Sequence, residues 1–83
     1  MKLILYSKPG CHLCEGLQEK LADVQAVTIE LEIRDITTRD DWFQAYQYEI
    51  PVLYADSVRL PHPSPRATVQ QLESWLQKFE SST

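Results

Sequence analysis

Apolar positions recur along this chain with two different periods, and the switches between them predict the elements. Leu3, Ile4 and Leu5 form an unbroken apolar run ahead of Tyr6, the pattern of a short strand over residues 2–6 covered on both faces. Lys8-Pro9-Gly10 breaks it. Leu13, Leu17, Leu21 and Val24 then fall at helical spacing, with Gln18, Glu19, Lys20 and Asp23 as the wet face. Gly16 sits inside that helix and costs it about 1 kcal/mol; a close neighbour is one explanation. From 27 to 36, Val27, Ile29, Leu31 and Ile33 alternate with Thr28, Glu30, Glu32 and Arg34, which predicts a strand with one buried and one wet face, suited to a sheet edge.

Thr37 or Thr38 is expected to cap the next helix, with an aspartate three residues on completing a capping box. Trp42, Phe43 and Tyr46 give that helix an aromatic face for packing, and it should stop before Ile50-Pro51. Val52-Leu53-Tyr54 and Val58-Arg59-Leu60 flank the turn residues Asp56-Ser57, a hairpin pattern. Ser64 is read as the cap of a last helix with Pro65 at its first position. Val69, Leu72, Trp75, Leu76 and Phe79 form its apolar stripe, and residues 80–83 are expected to fray. The order is β-α-β-α-β-β-α. Its first two strands should be parallel through a right-handed crossover and its last two antiparallel, which makes a mixed four-stranded sheet of the α/β class.

With 83 residues, a single domain over 1–83 is expected. A composition of 43% apolar and 24% charged residues is that of a globular chain. Twelve acidic against eight basic residues, and no run of Lys or Arg, argue against nucleic acid and anionic membranes as partners. The opening Met1-Lys2-Leu3-Ile4-Leu5-Tyr6 starts like an export signal, but its apolar run stops at Ser7, short of the roughly 7–15 residues required. No stretch approaches the roughly 20 apolar residues of a membrane span. A non-exported, cytoplasmic protein is expected, and the composition fits a monomer.

The chain has two cysteines, both in one Cys-x-x-Cys. A small secreted scaffold would spread four or more, so the pair suits chemistry in a reducing compartment. Cys11 and Cys14 lie where the first strand hands over to the first helix. The nucleophile of disulfide exchange is a thiolate, and a helix N-terminus favours one through its free N–H groups and its partial positive charge. Cys11 is placed at the cap, and Cys14, one turn on, can resolve a mixed disulfide formed there. His12 and Lys8 are candidate positive charges beside Cys11, to be weighed against plain solvent exposure. Tyr6 ends the strand beside the active loop and either contacts substrate or packs. At Ile50-Pro51 the base rate favours a trans bond; a cis bond would turn the Ile50 backbone outward to pair with an extended substrate. Asp40-Asp41 is read as helix capping and His62 as an exposed loop residue.

A strand, then Lys-x-x-Cys-x-x-Cys on a helix start, then Ile-Pro opening the third strand resembles the thioredoxin superfamily, and the small glutaredoxin-like proteins in particular, over residues 2–79. The resemblance implies a three-layer, thioredoxin-like (glutaredoxin-type) sandwich. It implies Cys11 as attacking cysteine, Cys14 as resolving cysteine, Pro51 as a cis-proline facing them and Ile50 as the residue whose backbone pairs with substrate. The chain also departs from the family. His12-Leu13 replaces the usual Pro-Tyr, Glu49-Ile50-Pro51 replaces Thr-Val-Pro, and Arg59-Leu60-Pro61-His62-Pro63-Ser64-Pro65 stands where a Gly-Gly and an acidic pair hold glutathione.

The function expected on these grounds is a thiol–disulfide oxidoreductase that reduces protein disulfides without a cofactor, its reductant left open between glutathione and a thioredoxin reductase. Two other readings remain at this stage. A binding module could have kept the fold without efficient catalysis. A metal or iron–sulfur site could be built from cysteine pairs of a dimer, since Cys-x-x-Cys is half of a four-ligand set; within one chain no metal site is expected.

Overall fold

The computed structural model describes residues 1–64 and 66–80. Pro65 and residues 81–83 of the expected frayed tail at 80–83 lie outside the described residues, while Glu80 still belongs to the last helix. Strand β1 (Lys2–Ser7) runs through the middle of the sheet, parallel to β2 (Glu30–Asp35) and antiparallel to β3 (Val52–Ala55). A two-residue turn, in which Asp56 takes a φ of 53°, returns the chain as β4 (Val58–Arg59), so the sheet order is β2-β1-β3-β4. The left-handed conformation is one that aspartate tolerates in turns.

Alternation along the strands divides the apolar run of β1 between two cores. Leu3 and Leu5 point with Leu53 toward α1 (His12–Ala22) and α3 (Val69–Glu80), where they meet Leu17, Leu21, Leu72 and Leu76. Ile4 and Tyr6 point to the other face, where Ile36, Val52 and the aromatic side of α2 (Asp40–Tyr46) cover them. The architecture is therefore a three-layer α/β sandwich. Each fully buried leucine contributes about 1.5–3 kcal/mol through removal from water.

The expected elements occur, with local corrections. The predicted strand over 27–36 is cut back to Glu30–Asp35. At its start, Glu73 Oε2 accepts the Gln25 and Ala26 N–H groups at 2.9 and 2.8 Å, which fixes a bend before Val27 enters the core. At its end, Asp35 accepts the Thr37 N–H at 2.8 Å and starts a 3₁₀ turn over Ile36–Thr38. Thr37 and Thr38 therefore do not cap α2. Arg39 occupies that position without a side-chain cap bond, and its guanidinium pairs with Asp41 while lying 4.8 Å from the Trp42 ring centroid.

Ser64 does not cap α3 either. Its carbonyl and hydroxyl hold a turn through Ala67 and Arg66. Thr68 caps the helix in a reciprocal box, donating its N–H to Gln71 Oε1 at 2.9 Å and accepting the Gln71 N–H at 3.1 Å. The wet face of β2 is covered in part, since Arg34 pairs with Glu32 and lies over the Tyr6 and Trp42 rings.

On α1 the buried line is Cys14, Leu17 and Leu21, while Leu13 is 52% exposed. Gly16 has no close neighbour: a Cβ built there meets nothing within 4 Å. Gly16→Ala is expected to stabilise the protein by about 1 kcal/mol, raising Tm by about 5 °C in a domain of this size. A thermal melt that shows no increase would mean that the helix needs this glycine for its own packing.

Candidate active site

The strand-to-helix handover is built by a tight turn. Cys11 N–H donates to the Lys8 carbonyl at 3.1 Å, with Pro9 and Gly10 between them and Gly10 at φ 82°. This is the pattern of a type II turn, in which proline suits the second position and the positive φ of the third favours glycine. The turn delivers Cys11 to the N-cap of α1 with an extended backbone (φ −82°, ψ 105°), and its sulfur accepts the Cys14 N–H at 3.3 Å. One of the orphan donors of the helix is thus aimed at the Cys11 sulfur.

The two thiols are free and differ in environment. Cys11 is partly exposed, whereas Cys14 is 2% exposed. Burial first, then a hydrogen bond to Cys11 and the negative charge Cys11 would carry, push the Cys14 thiol up from 9.0 to about 12; backbone groups at Lys8 and Cys14 offset only part of this. A raised folded-state value favours the protonated thiol. Its contribution to the stability of the reduced protein is therefore complete below pH 9 and lost as pH rises through about 12. Brief alkylation of the native reduced protein at pH 8 is expected to modify Cys11 and spare Cys14, with both modified after unfolding. Peptide mass analysis checks this, and equal labelling in the native state would contradict the asymmetry.

The Ile50–Pro51 bond is cis, and Pro51 is buried at the mouth of a notch that it shares with His12, Leu13 and Gly16. Ile50 N–H donates to the Tyr46 carbonyl at 3.1 Å, so the expectation of a wholly outward-facing Ile50 backbone is corrected: its amide is already used. Lys8 is exposed, and with Ser7, Glu15 and Asp35 it lines a cleft of about 260 Å³ that reaches Cys14.

Two other expected site residues do not make the expected contacts. Tyr6 is 7% exposed, its ring centroid 4.4 Å from that of Tyr46 and 5.7 Å from that of Trp42, and its hydroxyl accepts from Arg34 at 2.9 Å. It packs under α2 instead of meeting substrate. The His12 side chain is 96% exposed, and its Nδ1 faces Glu15 Oε2 at 3.7 Å, with no hydrogen bond to the Cys11 sulfur. Any charge it carries is set against Glu15, so a tuning role toward Cys11 has no contact behind it.

The open side of α1 is hidden in the sequence because Leu13 fits the apolar spacing of the helix although it is exposed. Cysteine behaves as a small buried hydrophobe, and counting Cys14 as apolar would have moved the buried stripe to Cys14, Leu17 and Leu21. Among the described residues, no group of three or more His, Cys, Asp or Glu is placed to hold a metal ion. No helix among them is long and apolar enough to cross a membrane.

A mixed four-stranded sheet between two helical layers, with a Cys-x-x-Cys at the first strand–helix junction, defines a domain of the thioredoxin-like class. Within that class the chain belongs to the glutaredoxin-like family: the model of the family described as "Glutaredoxin-like domain (DUF836)" matches residues 2–77. Among solved structures, the chain is similar to the X-ray structure of Northeast Structural Genomics target protein XcR50 from X. campestris, with 28% identity and a TM-score of 0.69 over 92% of this chain and 96% of that one. The solution structure of the same target protein gives a TM-score of 0.64 at 28% identity over 94% and 95% of the two chains. No curated protein matches the chain.

Proposed function

We propose that this protein is a thiol–disulfide oxidoreductase that reduces protein disulfides, with Cys11 attacking and Cys14 resolving. The observation that carries the reading is the asymmetry of the pair. Cys11 presents its sulfur at a helix cap under the Cys14 N–H, and Cys14 waits behind it, buried and protonated.

The Cys11 thiolate attacks one sulfur of a substrate disulfide. The new S–S bond is a mixed disulfide, and the first substrate thiolate leaves and takes a proton from solvent. Cys14 then gives up its proton, for which the cleft bordered by Lys8 and Asp35 is a path to water. It attacks the Cys11 sulfur and releases the second substrate thiolate. Two electrons pass from the dithiol to the substrate, leaving a Cys11–Cys14 disulfide. A thiol reductant must return them, and glutathione and a thioredoxin reductase are the two candidates.

Pro51 lines the notch that starts at His12, next to Cys11 in the chain, and in this reading Ile50 offers an extended substrate its carbonyl, since its N–H is occupied. The protein is taken to act as a monomer in the reducing cytoplasm, where a pair of this kind is kept as thiols. The reading is tested by electron transfer from dithiothreitol to a peptide disulfide: the protein is expected to speed it well beyond dithiothreitol alone. A rate equal to the uncatalysed one would leave a binding module in its place.

A further inference from the structure

The notch beside Pro51 does not end at the active site. It holds about 80 Å³ over Leu13, Gly16 and Leu72, and it continues through His62, Pro63 and Ser64 into a wider trough of about 520 Å³ that reaches Ala67 and Trp75. The notch begins at His12, one residue past Cys11.

Its charge is opposite to that of the whole protein. The chain carries twelve acidic and eight basic residues. Yet the ionisable side chains lining notch and trough are His12, Lys20, His62 and Arg66, and no aspartate or glutamate among the described residues lines either. The nearby Glu15 pairs with His12 and borders the separate cleft at Cys14.

Gly16 is an independent sign. A glycine inside a helix destabilises it, and here the fold supplies no neighbour that would exclude a Cβ. Leu13, Gly16, Leu17 and Lys20 share one side of α1 along the notch. The missing side chain therefore leaves room over an apolar floor for a group that comes from outside.

We propose that this notch and trough seat an extended segment of the substrate protein, one that carries acidic and apolar residues beside its disulfide cysteine. The proposal rests on the oxidoreductase reading of Cys11 and Cys14 and adds the substrate class to it. The apolar floor takes the apolar side chains, with one of them over Gly16, and the Lys20 and Arg66 side of the rim faces the carboxylates.

Two labelled twelve-residue peptides test this by fluorescence anisotropy. One has Glu and Leu around a Ser in place of Cys; the other has each Glu replaced by Lys. The acidic peptide is expected to bind at least about fivefold more tightly, the size that exposed ion pairs supply. Lys20→Glu with Arg66→Glu should reverse the order. Gly16→Leu should weaken the acidic peptide by a similar factor without lowering Tm, since leucine is the better helix former. Equal binding of the two peptides, or a preference that survives charge reversal, overturns the proposal. So does displacement by glutathione at a lower concentration than by the unlabelled acidic peptide.

A parallel arm presents the cysteine forms of both peptides, as disulfides, to Cys14→Ser and looks for mixed disulfides. Trapping of both with no difference in anisotropy overturns the trough and leaves the oxidoreductase reading intact. An acidic preference without trapping keeps the trough and removes the oxidoreductase reading.

Discussion

Cys11→Ser is expected to abolish reduction of a peptide disulfide, lowering kcat/KM on the order of 10³-fold or more, since a hydroxyl at the cap cannot replace the attacking thiolate. Cys14→Ser should behave differently. Cys14 is 2% exposed and holds its proton to about 12, so it takes no part in the first attack. Its loss should leave that attack in place and stop resolution, and the protein should accumulate as a covalent adduct heavier by one substrate thiol. Intact-mass analysis after a single turnover separates the two variants. If Cys11→Ser forms the adduct and Cys14→Ser does not, the roles are reversed and the cap geometry has been misread.

The largest effect on stability is expected at Leu5→Ala. Leu5 has no exposure, lies on the central strand opposite Ile33 and Leu53, and belongs to the core beneath α1 and α3. Removing a leucine side chain from such a site costs about 2–5 kcal/mol through lost transfer energy and the cavity left behind. The whole domain has only about 4–12 kcal/mol at its disposal if it follows the usual range per residue. The variant should therefore melt on the order of 15 °C or more below the parent, or fail to fold. The consequence reaches the chemistry, because β1 carries the turn that places Cys11 at the helix cap. A urea titration that shows a cost under about 1 kcal/mol would mean that the two-sided core is not what holds β1.

The element order and the two-faced sheet were readable because periodicity is set by packing. An apolar run at β1 and a stripe at α3 survive in the structure, whereas the alternation expected at β2 does not: Ile33 is exposed, and Glu32 and Arg34 are half-buried. The active loop was readable because its parts are local: Pro9 and Gly10 make the turn, and the Cys-x-x-Cys spacing puts both cysteines within one helical turn. What could not be read was decided by partners distant in sequence. Glu73 bends the chain before Val27 from 47 and 48 residues away. Arg34 binds the Tyr6 hydroxyl across the sheet and keeps that ring in the core. Capping failed at Thr37 and Ser64 for a nearer reason: Asp35 draws Thr37 into a 3₁₀ turn of its own, and Thr68 forms a reciprocal box with Gln71 closer to the helix. The open side of α1 was hidden by treating Leu13 as core and Cys14 as chemistry alone.

The central claim is that Cys11 and Cys14 work as a reversible dithiol. It is tested most directly by equilibrating the purified protein in dithiothreitol buffers of graded potential, quenching by alkylation and reading both cysteines by mass. The account predicts one two-electron transition, with Cys11 and Cys14 protected together, in the range of roughly −120 to −270 mV that such proteins span. A pair that stays reduced throughout, or closes only with a bound metal, would contradict it.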